Sequence, residues 1–401
     1  MDQSRAWRTY LSVPFNVWVI GVVTFLKNTS SVVLVIFCPV YLSDVLCVTM
    51  EKLGILEGLL EATSFFSRIA SGVLSDMIRK RKPVLIFGYA LSLLGRVFLT
   101  LSSSSMGIIF SRAFERLGNG IQGSPRDALV GDFTTAKNRG ACFGLRNSLT
   151  VSGSIVGALL AMWFMYWSHN NYPMLFLLTL IPSILAIVLL AMFVQDSKLP
   201  PREAKKAPFS LYDVIRNLMD LPRMFWVLMG LSSLIMLANV GMVFLVMTAK
   251  KLGLSSAYTP VVMILQSLST FIFAFPLGKL ADVWPKRYLL QLGIVVFFFA
   301  NMGMALTESL YGVLFCALLW GIQMAAIQNT ILAMMTGVIP QRIRGTGFGT
   351  LQLSNGVATL LANTFGGLLW HNISYKMTFF SGAFLCFIAL ILSALLLPKE
   401  A

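Results

Sequence analysis

The sequence predicts an all-α membrane protein with twelve transmembrane helices, arranged as two six-helix bundles that are related as repeats. Three observations lead to this prediction: the composition, the number and length of the apolar segments, and a pair of short motifs that occurs twice. Of the 401 residues, 57% are hydrophobic and only 12% are charged, whereas a soluble domain carries about 25% charged residues. A chain with so much apolar surface needs lipid around it.

The apolar segments identify the individual helices. Within lipid, only helices and closed barrels satisfy every backbone polar group, and the alternating strands of about 10 residues that build a barrel are not seen in the sequence. A helix needs about 20 apolar residues to cross the bilayer. Twelve stretches meet this need, near residues 14–41, 52–76, 83–103, 106–131, 140–167, 173–195, 222–249, 258–282, 286–306, 309–336, 345–370 and 376–397.

One long polar connection divides these segments six and six. It contains four prolines between residues 195 and 222, while the other connections are short. We therefore predict an N-terminal bundle at 1–195, a cytoplasmic linker at 196–221 and a C-terminal bundle at 222–401. Apolar residues within the linker are spaced as one face of a short amphipathic helix lying on the membrane surface.

The two halves contain matching motifs at matching distances. The stretch GVLSDMIRKRK begins at Gly72 and is repeated as GKLADVWPKR from Gly278, and RGACFG at Arg139 is repeated as RGTGFG at Arg344. The two motifs of a pair are 67 residues apart in the first half and 66 in the second. Such internal repeats are typical of transporters.

The basic residues predict the orientation of the helices. The net charge of +15 would suggest nucleic-acid binding in a soluble protein, but here no nucleic-acid module is visible. If both termini and the linker share one side, that side holds 19 Lys and Arg residues and the other side holds 4. Cytoplasmic loops carry such an excess, so we expect both termini in the cytoplasm. Short loops favour the plasma membrane of a bacterium, its inner membrane.

No catalytic, metal or cofactor site is predicted. The five cysteines are scattered without metal-binding spacing, and the two histidines stand in short connections. A P-loop for nucleotide binding is also not seen. We therefore expect neither an enzyme nor a cofactor-dependent protein, and we predict a monomer whose partners are the lipid bilayer, a small-molecule substrate and protons.

At the repeated motif the chain resembles the major facilitator superfamily, whose signature loop reads roughly G-x-L-x-D-R-x-G-R-R. Matches in the first copy are Gly72, Leu74, Asp76, Lys80 and Arg81, and those in the second are Gly278, Leu280, Asp282, Lys286 and Arg287. The fourth segment is closest to bacterial permeases with the pattern E-R-x-G-x-G…P-R-D-A-L. The acids expected in the first segment of those permeases are absent, and Lys27 stands nearby.

The resemblance implies a conformational latch on the cytoplasmic side, where Arg81 pairs with Asp132 at the end of the fourth helix and Asp76 faces a helix N-terminus. The alternative is that the basic run only sets the topology. The residues assigned to the latch are Gly72, Asp76, Arg81, Asp132, Asp282 and Arg287. Gly337 occupies the position where a second copy of Asp132 would fall.

Charged residues inside the spans are candidates for function because an unpaired charge in the membrane costs several kcal/mol. We assign eight residues to the substrate cavity: Lys27, Asn28, Ser31, Arg112, Arg116, Asn239, Gln323 and Asn355. For Arg112 and Arg116 the alternative is pairing with an acid such as Glu115, and for the amides it is hydrogen bonding between helices. We assign Glu57, Glu61 and Glu115 to proton coupling, with charge pairing as the alternative for Glu57 and Glu61.

The resulting functional hypothesis is a secondary active transporter that works by alternating access and is coupled to protons. Buried basic residues outnumber buried acids, which favours an anionic or zwitterionic cargo such as a metabolite or a metal chelate. The alternatives are a multidrug-type proton antiporter that exports drugs and, from another class, a non-transporting membrane sensor.

Overall fold

A computed structural model describes residues 13–78, 80–102, 104–134, 139–196, 221–339 and 344–398, and helices account for nearly all of them. In the first half the helices are α1 (Phe15–Asp44), α2 (Met50–Ile78), α3 (Arg81–Leu101), α4 (Ser105–Asp132), α5 (Arg139–Trp167), α6 (Tyr172–Leu178) and α7 (Leu180–Phe193). In the second half they are α8 (Arg223–Ala238), α9 (Met242–Lys251), α10 (Pro260–Val283), α11 (Lys286–Leu306), α12 (Leu310–Val338), α13 (Arg344–Asn372) and α14 (Tyr375–Leu396). The predicted amphipathic helix of the linker falls largely at 197–220, outside the described residues.

Each of the twelve predicted segments is helical. Nine helical stretches within the described ranges are long and apolar enough to cross a membrane. The other three segments correspond to α2, α4 and α13, which have 28 or 29 residues and carry more polar side chains. At 1.5 Å per residue these helices are also long enough to span the hydrocarbon core.

The chain forms two compact units. The first comprises Met1–Val48, Thr63–Leu199 and Ser255–Ile264, and the second comprises Thr49–Ala62, Pro200–Leu254 and Leu265–Ala401, so far as these ranges are described. In the first unit α3 packs on α4, and α1 packs on α5 and α7; in the second unit α11 packs on α12, and α8 packs on α13 and α14. These are corresponding helices of the two halves, so the helix pairing repeats as the sequence motifs do.

Two of the predicted segments are interrupted, which the sequence analysis did not anticipate. The sixth segment is broken at Thr179, between α6 and α7, where Pro182 lacks the N–H that would bond to the carbonyl four residues earlier. The seventh segment is broken at residues 239–241, between α8 and α9. There the backbone N–H of Gly241 donates to Asn363 Oδ1 on α13, at 2.8 Å. The first break thus has a local cause in a proline, whereas the second involves a contact with a distant helix.

Glycines allow α3 and α4 to approach closely. A Cβ atom on Gly95 would lie 2.6 Å from the carbonyl oxygen of Ser111, and one on Gly88 would lie 2.8 Å from the backbone nitrogen of Gln122. Such contacts leave no room for a side chain. Because the two backbones nearly touch, long polar side chains on α4 are sealed from the lipid beside them.

Candidate functional site

A group of buried charges lies inside the first unit, where α1, α3 and α4 meet. It consists of Lys27 on α1, Arg96 on α3, and Arg112 and Glu115 on α4, and we refer to these four residues as the charge cluster. Their side chains are at most 7% exposed, and that of Glu115 is fully buried. The helices hold them there because α3 and α4 are in close contact through glycine.

Glu115 stands at the centre of the charge cluster. Its Oε1 accepts hydrogen bonds from Asn119 Nδ2 at 2.7 Å and from Ser31 Oγ at 3.3 Å. The same oxygen lies 3.6 Å from Arg96 Nη2, and Oε2 lies 3.5 Å from Arg112 Nη1. One carboxylate therefore serves two guanidinium groups, with Arg112 placed one helical turn before it.

Arg96 and Lys27 also donate hydrogen bonds to neutral partners. Arg96 donates from Nη1 to Ser183 Oγ on α7 and from Nη2 to Ser31 Oγ at 2.5 Å, and its Nε has no hydrogen-bond partner among the described residues. Lys27 donates from Nζ to Asn119 Oδ1, and this amide in turn bonds to Glu115. The charge cluster thus contains three cations and one acid.

Sequence reasoning assigned three of the four cluster residues to a site but left Arg96 out. It also gave no role to Asn119, which hydrogen-bonds to Lys27 and Glu115, or to Ser183, which accepts a hydrogen bond from Arg96. The available signal was an arginine within an otherwise apolar stretch of α3, a position that is costly unless the charge has partners. For Arg112 the sequence left two alternatives open, contact with the cargo and pairing with an acid such as Glu115. The structure brings Arg112 and Glu115 together.

Four candidates of the first sequence half remain, namely Asn28, Arg116, Glu57 and Glu61. Asn28 ties α1 to α5 through hydrogen bonds from Nδ2 to the Thr150 carbonyl at 3.0 Å and to Ser154 Oγ at 2.8 Å. Arg116, Glu57 and Glu61 are half-buried, and each has an interaction partner. Glu57 and Glu61 belong to the part of α2 that is included in the second unit.

The three cavity candidates of the second sequence half are all neutral amides. Asn239 caps the end of α8 at its break, and Gln323 is buried on α12. Asn355 on α13 accepts a hydrogen bond from Ser232 Oγ at 3.0 Å, which is the helix-to-helix bonding left open as an alternative. Among the hydrogen bonds of the described side chains, none joins two of these three amides.

The predicted latch residues lie at the ends of helices. Arg81 Nε is 2.7 Å from Asp132 Oδ2, so the structure brings this pair together. The N–H groups of Arg81 and Lys82 donate to Asp196 Oδ1 at 3.0 and 3.2 Å, a carboxylate cap on the N-terminus of α3. Gly72 packs on Ser124 of α4. The side chains of Asp76 and Asp282 lie outside what the structure describes.

Arg287 makes a different contact from its counterpart. Its Nη1 and Nη2 donate to the carbonyl oxygens of Leu397 and Ala394 at 2.5 and 2.7 Å, at the end of α14. A cation at this point complements the negative end of the helix dipole. In the first unit Lys82 Nζ does the same at the end of α7, with the Ala191 carbonyl at 2.8 Å.

The described residues contain no group of three or more His, Cys, Asp or Glu side chains that could hold a metal ion. The charge cluster consists of fixed charges joined by hydrogen bonds, and such an arrangement can bind and orient an ion.

Comparison with known proteins identifies the class. Two matches to the model of the Major Facilitator Superfamily cover residues 20–265 and 229–401, so the chain belongs to this family of membrane transporters. An MFS-type transporter of Methanocaldococcus jannaschii is 26% identical over 380 residues, 93% of each chain. The multidrug resistance protein MdtH of Aeromonas hydrophila is 33% identical over 112 residues, 28% of each chain.

A solved structure shares the fold. The crystal structure of a POT family transporter in complex with 5-aminolevulinic acid aligns with a TM-score of 0.79 over 95% of each chain, at 14% identity. Together with the family match, this confirms the predicted all-α architecture of a major facilitator transporter. The chain is thus an integral membrane protein of a transporter family and not an enzyme.

Proposed function

We propose that this transporter moves a small anionic or zwitterionic solute, such as a metabolite or a metal chelate, by alternating access. The observation that carries the proposal is the charge cluster, in which three buried cations surround one buried carboxylate. Burying a charge without a counter-ion costs several kcal/mol. An anion bound nearby would balance the excess positive charge, whereas a bulky cation would add to it.

Within the charge cluster we assign the cargo contact to Lys27. Arg96 and Arg112 are 1% exposed and lie beside Glu115, whereas Lys27 is 7% exposed and its ammonium group bonds to a neutral amide. Lys27 gives up one hydrogen bond to a neutral amide when it turns toward a ligand, whereas Arg96 and Arg112 would leave the carboxylate beside them. Arg116 and Asn28, which are half-buried, would complete the contact, and the amides Asn239, Gln323 and Asn355 would supply neutral hydrogen bonds.

We propose that the driving force is a proton gradient and that the proton-carrying groups are Glu57 and Glu61. Glu115 is engaged by two arginines, so its assigned role becomes that of an anchor for the charge cluster. In proteoliposomes with an imposed proton gradient, Glu57→Gln and Glu61→Gln should abolish gradient-driven uptake while leaving counterflow exchange. Uptake that stayed gradient-driven in the double variant would rule out these acids as the coupling site.

The cargo class can be tested by thermal shift on the purified protein, with carboxylates, amino acids, phosphate, metal chelates and lipophilic cations at two pH values. An anion should raise the melting temperature of the wild type, and Lys27→Gln should remove this shift. Lys52→Gln is the matched control because Lys52 is exposed near the start of α2. Stabilisation by lipophilic cations alone, unchanged in Lys27→Gln, would contradict the proposal.

A second candidate is proton-coupled drug export. The observation that favours it is the local similarity to the multidrug resistance protein MdtH. Drug export predicts that lipophilic cations stabilise the protein in the same thermal-shift screen. It also predicts that expression of the chain lowers the accumulation of a fluorescent dye in cells, and Glu57→Gln should reverse that effect.

We further propose that Arg81 and Asp132 act as a latch on the cytoplasmic side, together with Gly72, Asp76, Asp282 and Arg287. The 2.7 Å contact between Arg81 and Asp132 supports this role. Each of Arg81→Asp and Asp132→Arg should slow transport, and the double exchange should restore it. If each single variant transports at the normal rate, the pair serves topology alone.

The proposed location is the inner membrane of a bacterium, with both termini in the cytoplasm and the protein as a monomer. The excess of Lys and Arg on that side supports this orientation. Reporter fusions at the two termini should both be active in the cytoplasm. Light scattering of the detergent-solubilised protein would test the monomer.

A further inference from the structure

A cleft of about 270 Å³ lies at the surface of the first unit and is bounded by α1, α5, α6 and α7. We call it the slot. Its rim consists of apolar side chains that are more than half exposed: Leu160, Trp163 and Ile181. Its floor consists of apolar side chains that are at most 5% exposed: Val33, Ala161 and Leu175. The slot therefore leads from the protein surface into its interior.

The slot lies at the interruption of the sixth segment. Thr179 and Pro182 both line it, and they stand at the junction where α6 ends and α7 begins. The break leaves a recess next to α1, where close packing would otherwise be expected.

The polar groups in the slot have partners already. Ser30 Oγ lies 2.9 Å from the Thr179 carbonyl oxygen, to which it donates, and 2.7 Å from Ser183 Oγ. Thr29 Oγ1 donates to the Phe25 carbonyl at 2.9 Å. With these hydroxyls satisfied, a polar ligand or a water molecule gains little there, since a water needs two or more polar partners. The slot suits a hydrocarbon occupant.

The rim lies on two of the apolar membrane spans. Both spans that supply it, Cys142–Trp167 and Tyr172–Phe193, have only 33% of their most apolar window buried inside the protein. In a membrane protein so exposed an apolar surface favours contact with lipid hydrocarbon, and a recess left empty there would forfeit the dispersion contacts of its lining.

We propose that the terminal part of one phospholipid acyl chain inserts into the slot and fills it. The occupant packs against the α6–α7 junction and so against Ser30 and Ser183. Ser183 accepts a hydrogen bond from Arg96 of the charge cluster. A lipid tail in the slot thus supports the wall that positions a buried cation, and the proposal does not depend on which cargo the protein carries.

The test uses the full chain in lipid vesicles that contain a phospholipid with a photoactivatable diazirine at the end of one acyl chain. After illumination, crosslinked peptides are mapped by mass spectrometry. Rim residues will be labelled by any surrounding lipid. The floor residues Val33 and Leu175 can be labelled only by a chain end that enters the slot, and we expect their labelling. Crosslinks confined to Trp163 and Ile181 would overturn the proposal.

A variant pair sharpens the test. Ala161→Phe places a ring on the floor of the slot and should abolish labelling of Val33 and Leu175 while leaving the rim labelled. Leu159→Phe is the matched control, because Leu159 is an exposed residue of the same helix that does not line the slot. Floor labelling that persists in Ala161→Phe would also contradict the proposal. If Ala161→Phe fails to fold, the labelling pattern of the wild type still decides.

Discussion

Replacing Glu115 by glutamine should destabilise the first unit strongly. Glutamine keeps the size of the side chain and one acceptor oxygen, so the bonds from Ser31 and Asn119 can persist. What is lost is the negative charge that lies 3.5 Å from Arg112 and 3.6 Å from Arg96. Two guanidinium groups and the ammonium group of Lys27 would then share a buried space without any acid of the cluster.

The magnitude follows from the burial of both partners. Coulomb's law with an effective dielectric constant of about 20 gives about 5 kcal/mol for unit charges at these distances, before desolvation is subtracted. Removing one partner of a buried pair costs about 3–5 kcal/mol in practice. We therefore expect Glu115→Gln to lower the unfolding free energy by about 3–5 kcal/mol, and the melting temperature by on the order of 10 °C.

A double-mutant cycle in detergent separates lost pairing from general damage. Arg112→Met removes one of the cations that Glu115→Gln leaves without its carboxylate, so the double variant should be more stable than Glu115→Gln alone. Contacting residues show interaction energies of about 0.5–3 kcal/mol, and the upper part of this range is expected. A Glu115→Gln protein as stable as the wild type, or strictly additive effects of the two changes, would refute the reasoning.

Three further predictions concern packing, a helix break and a surface pair. Gly54→Ala should lower the free energy of unfolding by about 1–3 kcal/mol, because its Cβ would lie 2.5 Å from the Asn363 carbonyl oxygen. The control is Gly337→Ala, whose Cβ would meet nothing within 4 Å. In a denaturation assay this control should be as stable as the wild type or more stable. Asn363→Leu removes the oxygen that accepts the hydrogen bond from the Gly241 N–H at the break between α8 and α9. This change should lower the free energy of unfolding by about 1–3 kcal/mol. Amide hydrogen exchange at the break should quicken, and unchanged exchange would count against this role.

The third of these concerns pH. The hydrogen bond from Lys376, at 2.7 Å, and the positive charge of that lysine hold the pKa of Glu308 below its ordinary value. The pair therefore stabilises the fold above the ordinary carboxyl pKa, and this contribution is lost as the pH falls through the lowered pKa. Wild type and Glu308→Gln should converge in stability on acidification, with only a small difference at neutral pH because both groups are exposed. A difference that grew in acid would contradict the assignment.

The helices could be predicted from the sequence because the length of an apolar run is local information. All twelve segments are helical, including α2, α4 and α13, whose polar side chains lower their hydropathy. The break at Thr179 has a local signal in Pro182, which the sequence analysis did not use, whereas the break at residues 239–241 has none of this kind; both are also joined to side chains from distant parts of the chain. Ser30 lies 149 residues from Thr179, and Asn363 lies 122 residues from Gly241.

The candidate site was accessible to sequence reasoning only where its partners share a helix. Arg112 and Glu115 are three residues apart, so helical spacing offered their pairing as one alternative. Lys27 and Asn119 are 92 residues apart, and Arg96 reaches Ser183 across 87 residues. Which of many polar side chains meet across helices depends on the packing of α1, α3, α4 and α7, and one sequence does not contain that information in readable form.

The distribution of buried charge distinguishes the two units although their helix pairing repeats. Among the described residues, every charged side chain classed as buried belongs to the charge cluster of the first unit, while the buried polar side chains of the second unit are hydroxyls and amides such as Asn301, Gln323 and Asn363. The two units thus share their helix pairing but differ in whether their buried polar side chains carry charge. If the cargo is an anion, as proposed, attraction by charge comes from the first unit and the second can contribute only neutral hydrogen bonds from its core. Lys27→Gln should therefore weaken anion binding much more than Gln323→Leu or Asn355→Leu, since hydrogen bonds to a charged group are worth about twice those between neutral groups.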